Sequence, residues 1–529
     1  MDVQEFATQL REALDGQDVG FSLTKSATEV LEHLGPQWLA AAMKPVLLIN
    51  QGRMQHFELH TEGAEPMRNL AESGGGPRRG IAVVGSGERA PRAAHLTLPT
   101  PEILAGETSF SFGQRPNFVA KTISAIYTRA YWQVPLALDS YRQWRNKRAG
   151  GRVRGERMTT VPMQQHTDVA GRTMWIAMHW AESGGAESWA WEQARLAKEA
   201  GFALVITFDR AAPQRQLAKA FALTEDVYLV GNSLERPHWP LFVAELLRKH
   251  DISHLHIHHS ELAYAALASL RLTHPQIRVE DSTHIVEHRG GGFVGTSIEL
   301  SDYLDLHHVI SPQLVDLYTA NGVDPAKLAF HPLTGFSADA PLPRTSRGGG
   351  PLRVGFLGRL SAQKRPYLFQ RTAAACKLAG GSELRFIMQG AGELEKMVER
   401  DQRRLRLDSY VERRDWAPVA GFLADIDVLL VTSENEGLTL TALEANAAGV
   451  LVLSADVGSQ RSVVADAALL PAQPVQFVSQ AVRLLRALAK DEALFASLLA
   501  QQGRKVEQIA AQQSASEFYA QHYQEVMAR

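Results

Sequence analysis

One cysteine, Cys376, stands in a chain of 529 residues. A disulfide framework within the chain is therefore excluded, and the composition fits a reducing compartment. Charge of one sign is also missing: 55 Lys and Arg against 57 Asp and Glu leave a net −2. No global attraction to nucleic acid or to an anionic surface follows from that balance. No stretch approaches the ~18 uninterrupted apolar residues of a spanning helix. The first residues, Met1-Asp2-Val3-Gln4-Glu5, lack the basic-then-apolar layout of a secretory signal. No repeat at a fixed period and no long low-complexity tract is present. The expectation is a cytoplasmic globular protein. With 45% hydrophobic and 21% charged residues it has ample material for buried cores, and its length suits about three domains.

The most informative stretch is Ser433-Glu434-Asn435-Glu436-Gly437-Leu438-Thr439-Leu440-Thr441-Ala442-Leu443-Glu444-Ala445. The apolar run Asp427 to Val431 before it reads as a buried strand. The residues after it read as a helix, with Leu440, Leu443, Ala447 and Ala448 at helical spacing. Glu436 is thus expected in the loop at the carboxyl end of a strand, where open α/β sheets bind ligands. Were the eight residues to Glu444 all helical, the two carboxylates would stand roughly 12 Å apart along the axis. Such a pair cannot share a proton. It suits two grips on an elongated ligand whose negative middle rests on a helix N-terminus.

Glu436-Gly437 followed by Glu444 resembles the Glu-x7-Glu motif of retaining GT-B glycosyltransferases, in particular glycosyltransferase family 4. The resemblance implies that Glu436 holds hydroxyls of a donor sugar and Glu444 the nucleotide ribose, with Gly437, Leu438 and Thr439 between them lining the donor. It is carried by four further elements in order, covering about residues 171–529. The strand Met174 to Met178 leads into Gly184-Gly185-Ala186-Glu187, similar to the family's Gly-Gly-x-Glu loop beside the donor diphosphate. The strand Ile277 to Thr283 ends at His284, similar to the family histidine that faces the donor sugar. Leu352 to Leu360 carries Gly358-Arg359, with Lys364 five residues on, similar to the family's Gly-Arg…Lys pair. Two fixed cations there stabilise the charge a leaving diphosphate gains in the transition state. Leu384 to Met388 ends in Gln389-Gly390-Ala391-Gly392, similar to a glycine turn near the nucleotide base. The sequence departs from the pattern at Gly437-Leu438-Thr439, where relatives commonly have Gly-Phe-Gly, and at Ser459 and Ser462, where they often have Gly and Glu. Those departures bear on sugar preference.

The fold the resemblance implies is α/β: GT-B, two Rossmann-like domains facing each other across a cleft, plus an N-terminal α+β extension. The expected boundaries are 1–165 for the accessory domain, 171–340 for the acceptor half, 350–510 for the donor half, and 511–529 for a helix that crosses back. Residues 341–350 are expected to be a linker. The alternation of strands Ala203 to Thr207 and Val227 to Val230 with helices supports a parallel sheet. Val309 to Ser311 reads as the last strand of the acceptor half. In the accessory part, Phe6 to Leu34 reads as interrupted helix; Pro45 to Asn50, His56 to His60 and Ile81 to Val84 read as strands. Gly85-Ser86-Gly87 is a loop rather than a dinucleotide fingerprint, since Ala90 replaces the third glycine.

Two further patterns carry competing readings. His254, His256 and His258 alternate on one strand face, which suits a metal site. No carboxylate sits in the alternation, so hydrogen-bonded histidines of a strand are expected and no metal is assigned. The aromatic-rich segment 117–157 ends in Arg142, Arg145, Lys147, Arg148, Arg152, Arg154 and Arg157. It suits a solvated linker beside a packed helix, or peripheral contact of Arg142–Arg157 with an anionic inner membrane face. No nucleic-acid module accompanies it.

The expected activity is transfer of a sugar from a nucleotide diphosphate donor, a UDP- or GDP-sugar, to a glycan, lipid-linked or protein hydroxyl, with retention and no required cofactor. His284, Arg359, Lys364 and Glu436 are the expected catalytic residues. Gly184, Gly185, Gly390, Gly437, Leu438, Thr439 and Glu444 complete the donor site. The alternatives are a GT-B nucleotide-sugar epimerase and a catalytically silent subunit of an assembly.

Overall fold

In the computed structural model the described residues are 3–17, 19–51, 55–61, 94–104, 126–127, 129–149, 172–287, 291–333, 350–415 and 417–528. The strand expected at 81–84, the linker at 341–349 and the basic residues 150–157 lie outside them. Sixteen strands form three sheets among the described residues. The chain divides into two compact units, one of Met1–Gln114, Val161–Glu280 and His522–Arg529, the other of Arg115–Thr160 and Asp281–Gln521.

The first sheet is β1 (Val19–Leu23), β2 (Gln55–Thr61) and β3 (Ala94–Leu98), all parallel. Helix Lys25–Ile49 connects β1 to β2. Thr24 caps it by accepting from the Ala27 N–H at 3.2 Å, and it kinks at Gly35, whose φ is 79°. The strand expected at Pro45–Asn50 is therefore a correction: these residues close the long helix. Leu39, Ala40, Ala41, Ala42, Met43, Val46 and Leu47 are all buried. A run apolar on every face has no periodicity to separate helix from strand. The helix is tied to the next sheet's surroundings by Trp38 Nε1 donating to the Pro213 carbonyl at 2.9 Å and the Leu229 N–H donating to the Ala41 carbonyl at 2.9 Å. Strand β1 lies within the stretch read as helical.

The second sheet comprises β4 (Thr173–Met178), β5 (Ala203–Phe208), β6 (Val227–Tyr228), β7 (Ile252–His258), β8 (Arg278–Thr283), β9 (Leu306–Val309) and β10 (Leu328–Phe330), in the order β10-β9-β8-β7-β4-β5-β6. β9 ends where the last strand of this half was expected, and β10 extends the sheet one strand further. Its residues Leu328–Phe330 are too few for a pattern to show in sequence. Helix Gly185–Ala200 follows β4 and buries Trp189, Ala190, Ala194 and Ala197. At the carboxyl end of the chain, Tyr523 packs edge-on against Phe202, with ring centroids 5.8 Å apart.

The third sheet comprises β11 (Leu352–Leu357), β12 (Leu384–Gln389), β13 (Val411–Arg414), β14 (Val428–Val431), β15 (Leu451–Ala455) and β16 (Leu469–Leu470), all parallel, in the order β13-β12-β11-β14-β15-β16. Counted from β11, this is the 3-2-1-4-5-6 order of a doubly wound nucleotide-binding sheet. The strand order reverses between β11 and β14. Helices Pro366–Leu378, Glu395–Arg404, Leu440–Ala447, Pro474–Lys490 and Glu492–Ala510 cover it. Phe356, Phe369, Phe386 and Tyr410 form a continuous aromatic core.

Candidate functional site

The carboxyl ends of β11 and β14 are the crevice where such sheets bind ligands, and the loops leaving them are laced together. After β14 the chain leaves the ladder, so the carbonyls of Thr432 and Ser433 need donors from elsewhere. Arg365, wholly buried, supplies them: Nε donates to Thr432 O at 2.7 Å and one terminal nitrogen to Ser433 O at 2.8 Å. Its other terminal nitrogen donates to Ala472 O at 3.0 Å. Thr432 Oγ1 donates back to the Lys364 carbonyl at 2.6 Å. The Glu434 N–H donates to Gln363 O at 2.7 Å, and Gln363 Nε2 donates to Asn435 O at 3.2 Å.

This lacing brings Lys364 Nζ to 2.5 Å from Glu436 Oε1. The Glu436 side chain is only 6% exposed and that of Lys364 29%. Arg359, in the same β11 loop, is exposed. The expected sugar-binding carboxylate and one expected diphosphate cation thus pair with each other, and Arg359 lies at the rim.

Gly437 stands where only glycine fits. A Cβ there would lie 2.3 Å from the carbonyl oxygen of His284, the residue directly after β8. The motif loop and the end of β8 therefore touch through backbone, and His284 is buried beside them. On the other side, the Ser459 N–H donates to Gly437 O at 3.3 Å, and Ser459 Oγ donates to Ser311 Oγ at 2.6 Å. Gly390, after β12, backs onto the β11 loop: a Cβ there would lie 1.9 Å from the Gly358 carbonyl oxygen.

The motif helix is Leu440–Ala447, so Glu436 to Thr439 remain loop and only Glu444 is helical. The buried residues of this helix are Ala442 and Ala445, whereas Leu440 and Leu443 are half-exposed. The helix expected from the spacing of Leu440 and Leu443 is present, with the alanines on its buried side. Small side chains let the helix lie close to β15, and the leucines stand on another face. Thr439, the residue before the helix, makes no side-chain cap; Gln460 Nε2 donates to its Oγ1 instead. Leu438 and Thr439 are buried. Burial raises the Glu444 carboxyl above its ordinary range.

Gly184 and Gly185 open helix Gly185–Ala200 in the other unit, in the loop after β4. Glu187, in the first turn of that helix, accepts from Trp180 Nε1 at 2.6 Å and lies 3.1 Å from His179 Nε2. Burial pushes its carboxyl up, but the bonds from His179 and Trp180 outweigh it and hold the group at about 2. The guanidinium of Arg210, after β5, lies 4.5 Å over the Trp180 ring. His259, after β7, has a φ of 56° and a ring centroid 5.6 Å from that of His179. Asp209 accepts from Ser260 Oγ at 2.8 Å and from the Leu262 N–H at 2.6 Å, and burial pushes its carboxyl up to about 7. Along β7, His254 bonds to Ser253 Oγ and His256 to Gln193 Nε2, at 2.8 and 2.9 Å.

Sequence reasoning did not find Arg365, Gln363, Gln460 or Glu434, whose roles are to hold the loops. They sit beside recognised residues and follow no motif spacing of their own; adjacency to Lys364, Glu436 and Ser459 was the one available signal.

Residues 351–487 match the family model for glycosyl transferases group 1. No curated protein matches the chain. Among solved structures, the chain is similar to Anabaena HepE in complex with UDP, at 13% identity and a TM-score of 0.50, over 67% of this chain and 99% of that one. It is similar to the pneumococcal O-GlcNAc transferase GtfA in complex with UDP and GlcNAc, at 11% identity and a TM-score of 0.50, over 68% and 99%. It is also similar to sucrose-phosphate synthase from Thermosynechococcus elongatus, at 17% identity and a TM-score of 0.50, over 68% and 100%. The fold is GT-B, and the match to the group 1 glycosyl transferase model spans its third sheet.

Proposed function

We propose that the protein is a glycosyltransferase that moves a hexose from a nucleotide diphosphate donor to a hydroxyl acceptor with retention of configuration. The observation that carries the reading is the Lys364–Glu436 pair at the reversal of the third sheet, with the end of β8 against Gly437. On donor binding, Lys364 exchanges the carboxylate for the diphosphate and joins Arg359 there; Glu436 turns to the sugar hydroxyls. Both cations then stabilise the charge that grows on the leaving diphosphate. Glu444 takes the ribose hydroxyls. His284 meets the donor sugar beside Gly437.

No nucleophilic role is given to a carboxylate, since Glu436 holds the sugar hydroxyls in this reading. The reading is front-face substitution, in which the leaving phosphate itself removes the acceptor proton. UDP is the first nucleotide to test, because HepE and GtfA are solved with it. The acceptor half is 171–340 and the donor half 350–510, with 1–165 as an accessory part. A cytoplasmic protein resting on an anionic membrane through the segment Arg142–Arg157, with Arg142 itself turned to Asp139 and Glu434, suits an acceptor on a lipid carrier. Tyr141 and Trp144, 56% and 51% exposed and stacked at 5.8 Å, support that placement. Sedimentation with anionic and with neutral vesicles tests it: binding to neither discards it.

The deciding experiment incubates the protein with a UDP-sugar and candidate hydroxyl acceptors and follows the anomeric proton by NMR. A new linkage of the donor's own anomeric form supports the reading. An inverted linkage removes retention, and sugar interconversion without acceptor identifies an epimerase. No turnover with any donor moves the reading to the silent subunit.

A further inference from the structure

Helix Pro135–Ala149 precedes the first Rossmann-like half in the chain, yet it clusters with the unit that carries the third sheet. It packs on helix Pro474–Lys490, and Gln473 Nε2 donates to Ser140 Oγ at 3.1 Å. Asp139, 1% exposed, accepts from the Tyr367 hydroxyl, and the Tyr131 ring meets Tyr367 edge-on at 6.0 Å. Arg400 donates to the Trp132 carbonyl. These bonds fix the helix against the site's own scaffold, since Tyr367 belongs to the helix that follows Lys364 and Arg365.

From that helix Arg142 extends to the donor loop. One terminal nitrogen lies 3.2 Å from Asp139 Oδ1 and the other 2.8 Å from Glu434 Oε2. The Glu434 side chain is 4% exposed. Its backbone N–H is bound to Gln363 O, and two residues on stands Glu436. A carboxylate that far out of water needs its cation. Without Arg142, Glu434 loses this buried charge partner in the loop that also carries Glu436.

We propose that Arg142 is a positioning residue for the donor sugar: by holding Glu434 it sets the height of the loop from which Glu436 grips the sugar. The segment before the first Rossmann-like half thereby completes the donor site rather than standing apart from it. This rests on the function proposed above. A displacement of about 1 Å at a reacting group costs up to ~100-fold in rate. Because Arg142 acts through the sugar grip, the nucleotide grip at Glu444 is spared.

The test measures kcat, donor KM, and the affinities for UDP and for the UDP-sugar by calorimetry on the full chain, with melting temperatures alongside. For R142Q the expected result is a fall in kcat of roughly 10- to 100-fold, by the displacement argument. UDP affinity stays within about threefold, and the preference for UDP-sugar over UDP shrinks. R142K, which keeps the charge beside Glu434, recovers part of kcat. In the double variant R142Q/E434Q the two losses fail to add, as coupled residues do. Wild-type kcat in R142Q overturns the inference and leaves the functional reading standing. Losses of UDP affinity, kcat and melting temperature in the same proportion also overturn it, since they mark a folding role. A wild type that neither binds nor turns over a donor overturns the functional reading, and this inference with it.

Discussion

The strand ends of the second and third sheets hold different chemistry on the same kind of scaffold. After β11 and β14 stand cations and carboxylates: Arg359, Lys364, Glu436, and Glu434 with its partner Arg142. After β4, β5 and β7 stand His179, Trp180, Arg210 and His259, where rings predominate and the carboxylates Glu187 and Asp209 are buried in hydrogen bonds. Open α/β sheets offer both crevices equally; the side chains at the strand ends assign them. A crevice with exchangeable charge suits a diphosphate. One lined by rings, with its carboxylates already in hydrogen bonds, offers ring faces instead.

The largest expected effect breaks this comparison on its charged side. Lys364→Ala and Arg359→Ala each remove a cation from the leaving group, and kcat should fall roughly 100- to 1,000-fold. Nucleotide affinity should fall less. His179→Ala, at the other set of strand ends, removes a ring partner of Glu187 and no cation from the leaving group, so kcat should fall less than in either of these variants. Equal losses from both sets would erase the distinction.

The next effect concerns stability and pH on the ring-lined side. Burial raises the folded Asp209 carboxyl to about 7, against about 3.8 for an exposed one. The folded state therefore binds the proton more tightly, so Asp209 favours folding at low pH. That contribution falls as pH rises through the interval and is gone above about 7. Asp209→Asn should be as stable as wild type near pH 4 and more stable by ~2–4 kcal/mol near pH 8. Urea melts at the two pH values check this. A difference that does not change with pH would contradict it.

Smaller effects sharpen the donor side. Gly437→Ala places a methyl against the His284 carbonyl, and overpacking of that kind costs ~1–3 kcal/mol. A melting temperature equal to wild type would show that the loop yields. Glu444→Ala should weaken UDP binding roughly 10-fold, the worth of a hydrogen-bonded charged group, with kcat for bound donor little changed. Calorimetry and saturation kinetics separate the two.

Much of this was legible in sequence, for identifiable reasons. Buried strands such as Val428–Val431 and Leu451–Ala455 are unbroken apolar runs followed by loops with glycine, a pattern single-sequence reading handles well. The motif residues stood out in sequence because the family pattern fixes both their type and their spacing, and the structure pairs two of them, Lys364 and Glu436. What was not legible depends on tertiary packing. Pro45–Asn50 reads as strand because apolar residues on all sides hide the helical period. Leu440 and Leu443 marked a helix correctly, but which of its residues are buried, Ala442 and Ala445, follows from packing on β15. The Arg142–Glu434 pair joins residues far apart in the chain. Sequence placed Arg142 only in a basic cluster, since an ion pair has no local signature.

The central claim, a nucleotide diphosphate site at the reversal between β11 and β14, is tested most directly by thermal stabilisation with a panel of nucleotides and nucleotide-sugars, Glu444→Ala alongside. A ligand that binds only the folded state raises the melting temperature with its concentration over its dissociation constant. The account predicts a shift with one nucleoside diphosphate and its sugar, reduced in Glu444→Ala. No shift with any nucleotide, or an equal shift in the variant, would contradict it.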